Sequence, residues 1–156
     1  MIEKSPLDPA TIKSWMHNAG VDHYLCGQCH GLHLSELQGL EGVVESRLLV
    51  EEWGLLISTE YLIRPTALLP IAADLGHLNA NYPILKLFPD VVDDAMPQLI
   101  AGATFLTGAG MTEAQFALFT ATAQEAMTQL AGELKQLDFL LPDEEGEKAP
   151  AGHRYH

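Results

Sequence analysis

The sequence predicts a single α+β domain organised around one β-hairpin. Residues 42–64 hold a long alternation of apolar and polar side chains, which is typical of half-buried strands. A break at Trp53-Gly54 divides this alternation into two strands joined by a turn. An isolated hairpin is only marginally stable in water, so further strands or helices must pack on its apolar face. Helical and strand-like patterns occupy separate stretches of the remaining chain, which indicates the α+β class.

Signals on either side of the hairpin predict the order helix, three strands, helix, two strands, helix. The first helix begins at Asp8 as N-cap and Pro9 at the first helical position, where the missing amide costs nothing, and Gly20 is suited to end it. Residues 21–25 alternate as a short strand, and the polar stretch 35–41 leads into the hairpin. The predicted buried faces of the two hairpin strands are Val44, Ser46, Leu48 and Val50, and then Leu55, Ile57, Thr59, Tyr61 and Ile63.

A second helix and two further strands are predicted after the hairpin. A proline follows Arg64 and ends the second hairpin strand, because the residue before a proline is held extended. The helix is predicted over residues 66–79. Strand-like runs follow at residues 85–92 and 99–106, and Pro89 in the first favours a position at the edge of the sheet. The predicted buried side of the helix is Leu68, Leu69, Ala72, Leu75 and Leu78.

The last helix has the clearest boundary signals. Thr112 and Gln115 form a capping box, Met111 and Phe116 form a hydrophobic staple, and Pro142 ends the pattern. The helix would span about 28 residues and about 42 Å. A domain of this length has a radius of gyration of only about 15 Å. The helix therefore either reaches a second subunit or a partner, or lies across the whole sheet. Its predicted apolar face is Phe116, Phe119, Ala123, Ala126, Leu130, Leu134, Leu137 and Leu141.

The chain of 156 residues divides into a loose lead-in, one domain and a tail. The lead-in is predicted at residues 1–7, the α+β domain at 8–142, and an acidic disordered tail at 143–156. The first residues lack a basic region followed by an apolar segment, and no apolar run is long enough to cross a membrane. We therefore expect a cytoplasmic protein that does not bind membranes, whose cysteines are thiols or ligands rather than a disulfide.

Charge excludes one class of partner. The chain has 21 acidic against 8 basic residues, for a formal net charge of −13. A surface of this kind repels phosphate backbones, and the basic stripe that nucleic-acid binding requires is missing. We expect no nucleic-acid partner. The acidic excess fits either a solvated surface or a basic partner.

One cluster of side chains suggests chemistry. Cys26, Cys29, His30 and His33 form the pattern C-x-x-C-H-x-x-H. The first five positions match the haem c attachment motif. The four side chains are also candidate zinc ligands, although one short loop strains a tetrahedral arrangement. A C-x-x-C pair can instead be redox-active, which usually requires a helix after the pair.

The interpretation that the sequence favours is structural. It places a buried or half-buried cysteine pair at a strand–turn–strand junction, where Gly27 and Gly31 make the turns. No cofactor and no metal are then expected. The chain has no G-x-S-x-G, no Gly-rich phosphate loop and no H-E-x-x-H. We therefore predict no catalytic residues and no enzymatic activity.

Three segments resemble the YbjN family of bacterial sensory transduction regulators, and in particular its enterobacterial, AmyR-type members. They are CGQCHGLHL, RPTALLPIAADLGHLNA and TGAGMTEAQFALF, and the resemblance runs from residue 8 to 142. It implies a fold similar to class I type III secretion chaperones, which dimerise and bind partner chains. It also implies no established catalysis and a pleiotropic negative regulation of exopolysaccharide, motility, stress and virulence traits. A shared fold does not by itself confer a secretion role.

The predicted function is a non-enzymatic, homodimeric regulator that acts through an unknown protein partner. The candidate contact surfaces are the exposed side of the last helix, and the second helix together with the strand at residues 85–92. An alternative hypothesis is a metal or redox sensor that uses the cysteine–histidine cluster. The contact residues predicted for the partner or dimer are Leu78, Leu85, Leu87, Phe88, Leu134 and Leu137.

Overall fold

The computed structural model describes residues 7–141 and shows a six-stranded antiparallel sheet with five α-helices in that range. The strand order is β1-β2-β3-β4-β6-β5, so the α+β prediction is confirmed. The predicted tail and nearly all of the lead-in lie outside the described residues. The helices are α1 (Pro9–Asn18), α2 (Ser35–Gln38), α3 (Leu68–Ala73), α4 (Leu75–Asn81) and α5 (Glu113–Gln136). The strands are β1 (His23–Tyr24), β2 (Leu32–Leu34), β3 (Val43–Val50), β4 (Gly54–Leu62), β5 (Lys86–Asp90) and β6 (Gln98–Leu106).

The predicted hairpin is the pair β3–β4 at the centre of the sheet. The buried face predicted for the second strand is confirmed at every position from Leu55 to Ile63. In the first strand a bulge between Val43 and Glu45 shifts the alternation, so Val43 is buried and Val44 is only half-buried. Val50 is also only half-buried, so the predicted face of this strand holds only at Ser46 and Leu48.

Gly54 allows the close approach of β4 and β6. The turn before it is closed by two backbone hydrogen bonds between residues 51 and 54. A Cβ atom on Gly54 would collide with the carbonyl oxygen of Phe105 on β6. Any side chain at this position would force the two strands apart.

Two elements near the N-terminus were absent from the sequence prediction. Asp8 caps α1 as predicted, because its side chain accepts a hydrogen bond of 3.3 Å from the amide of Ala10. The strand β2 directly follows the turns of the predicted strand–turn–strand junction, where no separate strand had been counted, and the helix α2 begins the stretch 35–41 that was predicted to be a polar connection. They contain three and four residues, which is too short for periodicity to identify. The predicted three strands before the second helix are therefore four.

The helix that was predicted over residues 66–79 is divided in the structure, and its buried face differs from the predicted one. A 3₁₀ turn at Pro65–Ala67 precedes α3, and Asp74 separates α3 from α4. The turn and the break rotate the helical face away from the predicted one. Leu69 is 79% exposed and Ala72 is exposed, whereas the buried residues are Ala67, Ile71 and Leu78.

The last helix lies along the core and does not project beyond it. Its capping box is confirmed, but it ends at Gln136, before Pro142, because Asp138 adopts a left-handed conformation with φ of 60°. The 24 residues of α5 span about 36 Å. Buried side chains occur along its length, as expected for a helix lying across the sheet: Phe116, Thr120, Ala123, Met127, Leu130, Ala131 and Leu134. Phe119, Ala126 and Leu141 are only half-buried and Leu137 is exposed, contrary to the predicted face.

Polar contacts join α5 to the central hairpin inside the core. The hydroxyls of Ser46 and Thr59 lie 2.8 Å apart, and Thr59 Oγ1 donates to the sulfur of Met127 over 3.0 Å. Both hydroxyl-bearing residues are buried. Because buried hydroxyls must find partners, this chain of contacts specifies how the helix sits on β3 and β4.

Candidate functional site

The C-x-x-C motif lies in the loop that joins β1 to β2. These strands pair antiparallel with Tyr24 opposite His33, so the predicted strand–turn–strand junction is confirmed. Gly27 has a φ of 77° and makes a left-handed turn between the two cysteines. Cys29 is half-buried as expected, but Cys26 is exposed, because it lies in the loop beyond the end of β1.

The loop brings three of the four candidate side chains together. The two cysteine sulfurs lie 3.2 Å apart, and Cys29 Sγ lies 3.5 Å from His33 Nε2. The three possible ligand atoms are all within 4.8 Å of one another. His30 is exposed and lies apart, where it lines a separate groove beside Leu25 and Val50.

Neighbouring hydrogen bonds determine the tautomer of His33. The side-chain amide of Gln38 donates to the carbonyl of Val44 over 2.7 Å, and its oxygen accepts from the amide of Ser46 over 3.0 Å. The same oxygen lies 3.3 Å from His33 Nδ1. Since this oxygen can only accept, Nδ1 carries the proton and Nε2 presents a lone pair toward Cys29. His33 is 5% exposed and its ring stacks on that of Tyr24 at 4.8 Å.

Hydrogen bonds to sulfur favour a thiolate in this loop. The backbone amide of Gln28, at 3.4 Å, is the largest influence that lowers the pKa of Cys26 to about 6, followed by a hydrogen bond from the thiol of Cys29. Burial of the Arg47 guanidinium acts to lower its pKa, but a hydrogen bond with Cys29 and the nearby carboxylates outweigh burial and raise that pKa. Burial, and then the charge of Cys26, raise the pKa of the Tyr24 hydroxyl.

This donor set fits neither haem c nor a closed structural zinc site. In the haem pattern the histidine directly after the second cysteine ligates the iron, and here that residue is His30, which lies away from the sulfurs. Structural zinc takes four protein ligands, whereas residues 7–141 bring three together. The cation of Arg47 beside Cys29 also opposes a bound metal ion.

The structure places most of the predicted contact residues in the protein's own core. Leu78, Leu87 and Leu134 are buried, so their side chains offer no surface to a partner, and Leu85 is buried except where it borders a groove on the sheet. They are apolar because they pack against the sheet and helices of this chain. Phe88 and Leu137 are exposed and remain available.

A groove lies on the face of the sheet opposite to the one that α5 covers, and the sequence prediction included only Leu85 and Phe88 of its lining. It measures about 450 Å³, and its apolar lining comes from three strands and two connections. Trp53, Ile84 and Phe88 in this lining are all exposed large side chains. The signal in the sequence was one apolar residue on each strand, Leu56 on β4 and Ile100 on β6, at positions where a solvated face would be polar. The apolar residues that line the groove are Trp53, Leu56, Pro83, Ile84, Leu85, Phe88 and Ile100.

The chain matches a known protein family over most of its length. The family model described as "YbjN: Putative bacterial sensory transduction regulator" matches residues 8–136, which include the cysteine loop, the groove and α5. The chain belongs to the YbjN family. Its family is thus described as one of sensory transduction regulators.

Individual YbjN proteins match most of the chain. YbjN of Escherichia coli strain K12 is 33% identical over 138 residues, which cover 88% of this chain and 87% of that protein. YbjN of Shigella flexneri matches with the same identity and coverage. The crystal structure of E. coli YbjN, described as "a putative transcription regulator", has a TM-score of 0.81 and 31% identity, and the match covers 89% of this chain and 100% of that one. The α+β fold described above is therefore the fold of the YbjN structure.

Within residues 7–141, no helix combines the length and apolar character needed to cross a bilayer.

Proposed function

We propose that this YbjN-family regulator is non-enzymatic and acts in the cytoplasm by binding other proteins through the groove on the open face of its sheet. The observation that carries the proposal is the exposed apolar lining of that groove. Phe88 is 39% exposed, and Trp53 and Ile84 beside it are exposed to a similar degree. Contiguous apolar surface of this kind on a folded domain marks interaction sites.

The architecture explains why this surface remains free. The helix α5 bonds to Thr59 and Tyr61, so it covers the face of β4 on which these residues lie. Leu56 and Ser58 point to the other face, where they line the groove with Ile100 of β6. An antiparallel sheet can leave one face toward solvent, but that face is ordinarily polar.

Charge beside the groove indicates the chemistry of the partner. Glu60 continues the outward face of β4, and it lies opposite Glu45 on β3 and Ile100 on β6. Burial, and then the charge of Glu45, raise the pKa of Glu60, although Arg47 acts in the opposite direction. A cation from a partner would relieve this repulsion. We therefore propose a partner segment with apolar anchors and a lysine or arginine beside them, which also suits the net charge of −13.

A second copy of the chain is another candidate binding partner. The family resemblance implies a fold similar to class I type III secretion chaperones, which dimerise, and this supports a homodimer. The exposed Leu137, just after the end of α5, is a further available contact. The acidic surface does not support direct binding to nucleic acid, and Lys86 is the one basic residue in the lining of the groove. We extend the proposal to pleiotropic negative regulation of exopolysaccharide, motility, stress and virulence traits, which rests on the family resemblance alone.

The test compares two substitutions that add the same charge. Phe88→Asp places a carboxylate in the groove, and Leu25→Asp places one at an exposed position outside its lining and outside the other candidate contact surfaces. Light scattering after size-exclusion chromatography gives the oligomeric state, and affinity capture from a bacterial lysate followed by mass spectrometry gives the partners. We expect Phe88→Asp to lose captured proteins and Leu25→Asp to keep them. Equal capture by both variants, or a monomer that captures nothing, contradicts the proposal.

A further inference from the structure

We propose that Cys26 and Cys29 form a reversible dithiol–disulfide site that reacts with low-molecular-weight disulfides, with His33 as the proton acceptor. This site lies on the β1–β2 loop and does not line the groove on the open sheet face. The inference goes beyond the proposed function and does not depend on it.

The two sulfurs differ in access, and this difference assigns their roles. Cys26 is exposed, so it can meet a disulfide in solution. Cys29 is half-buried, and its sulfur lies 3.2 Å from that of Cys26. A disulfide bond is about 2.05 Å long, so closure requires the sulfurs to approach by only about 1 Å. Cys26 is therefore the attacking thiol and Cys29 the resolving thiol.

His33 is positioned to take the proton of the resolving thiol. Its Nε2 lies 3.5 Å from Cys29 Sγ, and the hydrogen bond from Nδ1 to Gln38 leaves the lone pair on Nε2. The ring is buried and stacked against Tyr24, which limits its rotation. A base held in one tautomer next to a thiol is the arrangement that activates cysteine nucleophiles.

The surrounding charge favours a thiolate over a bound cation. The positive charge of Arg47 interacts with Cys29, and the backbone amide of Gln28 points at the sulfur of Cys26. Both groups stabilise negative charge on sulfur. A third cysteine or second histidine ligand that would complete a metal site is not found in the cluster among the described residues.

The reaction balances as two thiol–disulfide exchanges. The Cys26 thiolate attacks one sulfur of glutathione disulfide, so that a mixed disulfide forms and one glutathione thiolate leaves. Cys29 then transfers its proton to His33 Nε2, and its thiolate attacks Cys26 Sγ and expels the second glutathione thiolate. The two glutathione thiolates that leave take up the two protons that the thiols of Cys26 and Cys29 have lost. The protein is oxidised by two electrons, and the glutathione disulfide is reduced to two glutathione molecules.

The experiment uses the full chain, reduced and then freed of reductant, with glutathione disulfide as the probe. Intact mass spectrometry should show the loss of two hydrogen atoms and little accumulated adduct, and excess reduced glutathione should reverse the change. In Cys29→Ser the reaction should stop at a stable adduct of one glutathionyl group on Cys26. A wild-type chain that stays fully reduced, or one that accumulates the same adduct as Cys29→Ser, overturns the proposal. Metal bound at one equivalent that blocks oxidation and is lost in Cys29→Ser also overturns it and assigns the cluster to a metal.

A positioning variant tests the role of His33. His33→Phe keeps an aromatic ring against Tyr24 but removes Nε2. The second exchange should then slow by at least about tenfold near neutral pH, since a positioned base typically contributes that much or more. The difference in this rate between the variant and the wild type should shrink as the pH rises past about 8.5, where thiols ionise without a base beside them. A rate equal to that of the wild type at neutral pH, in a variant whose circular dichroism shows a folded chain, contradicts the role of His33.

Discussion

The hydroxyl of Tyr61 donates a hydrogen bond of 2.6 Å to the main-chain carbonyl of Met127. Tyr61 is fully buried on the central strand β4, and Met127 lies in the middle of α5. Burial is the main cause that raises the pKa of Tyr61 far above its usual range, so the hydroxyl keeps its proton and its role as donor. This contact holds the central strand β4 and the helix α5 in one orientation.

Removing that hydroxyl should destabilise the fold. Tyr61→Phe should lower the free energy of unfolding by about 1–1.5 kcal/mol, the net contribution of one buried hydrogen bond. Urea titration followed by circular dichroism measures the change. The matched control is Tyr82→Phe, whose hydroxyl makes only a 3.4 Å contact with Glu133 in a partly buried position. Equal losses in the two variants would show that the Tyr61 contact has no special importance.

The approach of β4 to β6 at Gly54 should tolerate no side chain. Gly54→Ala should destabilise the chain by about 2 kcal/mol or more, because the new Cβ would collide with the backbone oxygen of Phe105. Gly76→Ala is the control, since nothing lies within 4 Å of its added Cβ and it is in α4. That substitution should raise stability by about 0.4–1 kcal/mol. Urea titration measures the free energy of unfolding of both variants. An unchanged stability in Gly54→Ala would contradict the close approach of β4 and β6.

The carboxylate of Glu60, which lies opposite Glu45 on β3, should make stability depend on pH. Burial and repulsion raise the pKa of Glu60 in the folded state, so between its unfolded and folded pKa values the native state binds more protons than the unfolded state. Stability contributed by this group is therefore present at low pH and is lost as the pH rises through the folded pKa.

Glu60→Gln removes this effect and tests it. At pH 7 the variant should be more stable than the wild type by about 0.5 kcal/mol, the size expected for like charges opposite each other on a sheet. Below the unfolded pKa of a glutamate, about 4.3, the two proteins should be equally stable. A variant that is less stable at pH 7 would show that the 4.0 Å pair with Arg47 outweighs the repulsion.

The thiol of Cys26 should react as a thiolate below neutral pH. The rate of its alkylation by iodoacetamide, followed by mass spectrometry of peptides, should have a midpoint near its pKa of about 6. The backbone amide of Gln28 contributes most to this low pKa, and the Cys29 side chain contributes next. In Cys29→Ala the midpoint should therefore move upward without reaching that of a free thiol. A wild-type midpoint near 8.5, as in an unperturbed thiol, would contradict the geometry of the loop.

Features with a local cause were predicted correctly from the sequence. The capping box at Thr112 depends on residues three positions apart, and the N-cap at Asp8 depends on the amides just after it. The buried face from Leu55 to Ile63 depends only on the period of a strand. Pro89 correctly indicated an edge strand, because it has no amide to donate to a neighbour.

The errors have non-local causes. The bulge after Val43 arises from the pairing of β3 with β4, and it changes which side chain is buried without any mark in the alternation. The left-handed turn at Asp138 ends α5 at Gln136 and directs the chain back to β4, where the amide of Leu141 bonds to the carbonyl of Leu62, so the helix stops before the proline that was expected to end it. Leu134 and Leu87 were assigned to a partner because burial in the chain's own core and burial in an interface require the same apolar residue types.

Local chemistry along the chain was enough to establish the α+β class, the central hairpin, the acidic surface and the set of thiol and imidazole groups near residue 30. Strand pairing selected among those groups: the antiparallel register of β1 and β2 placed His33 beside Cys29 and left His30 outside the cluster. Folding also supplied Gln38 and Arg47, which no spacing in the motif indicates. The reason is physical, since a side chain's type is a property of the sequence, whereas its distance to a partner remote along the chain depends on how the strands and helices pack.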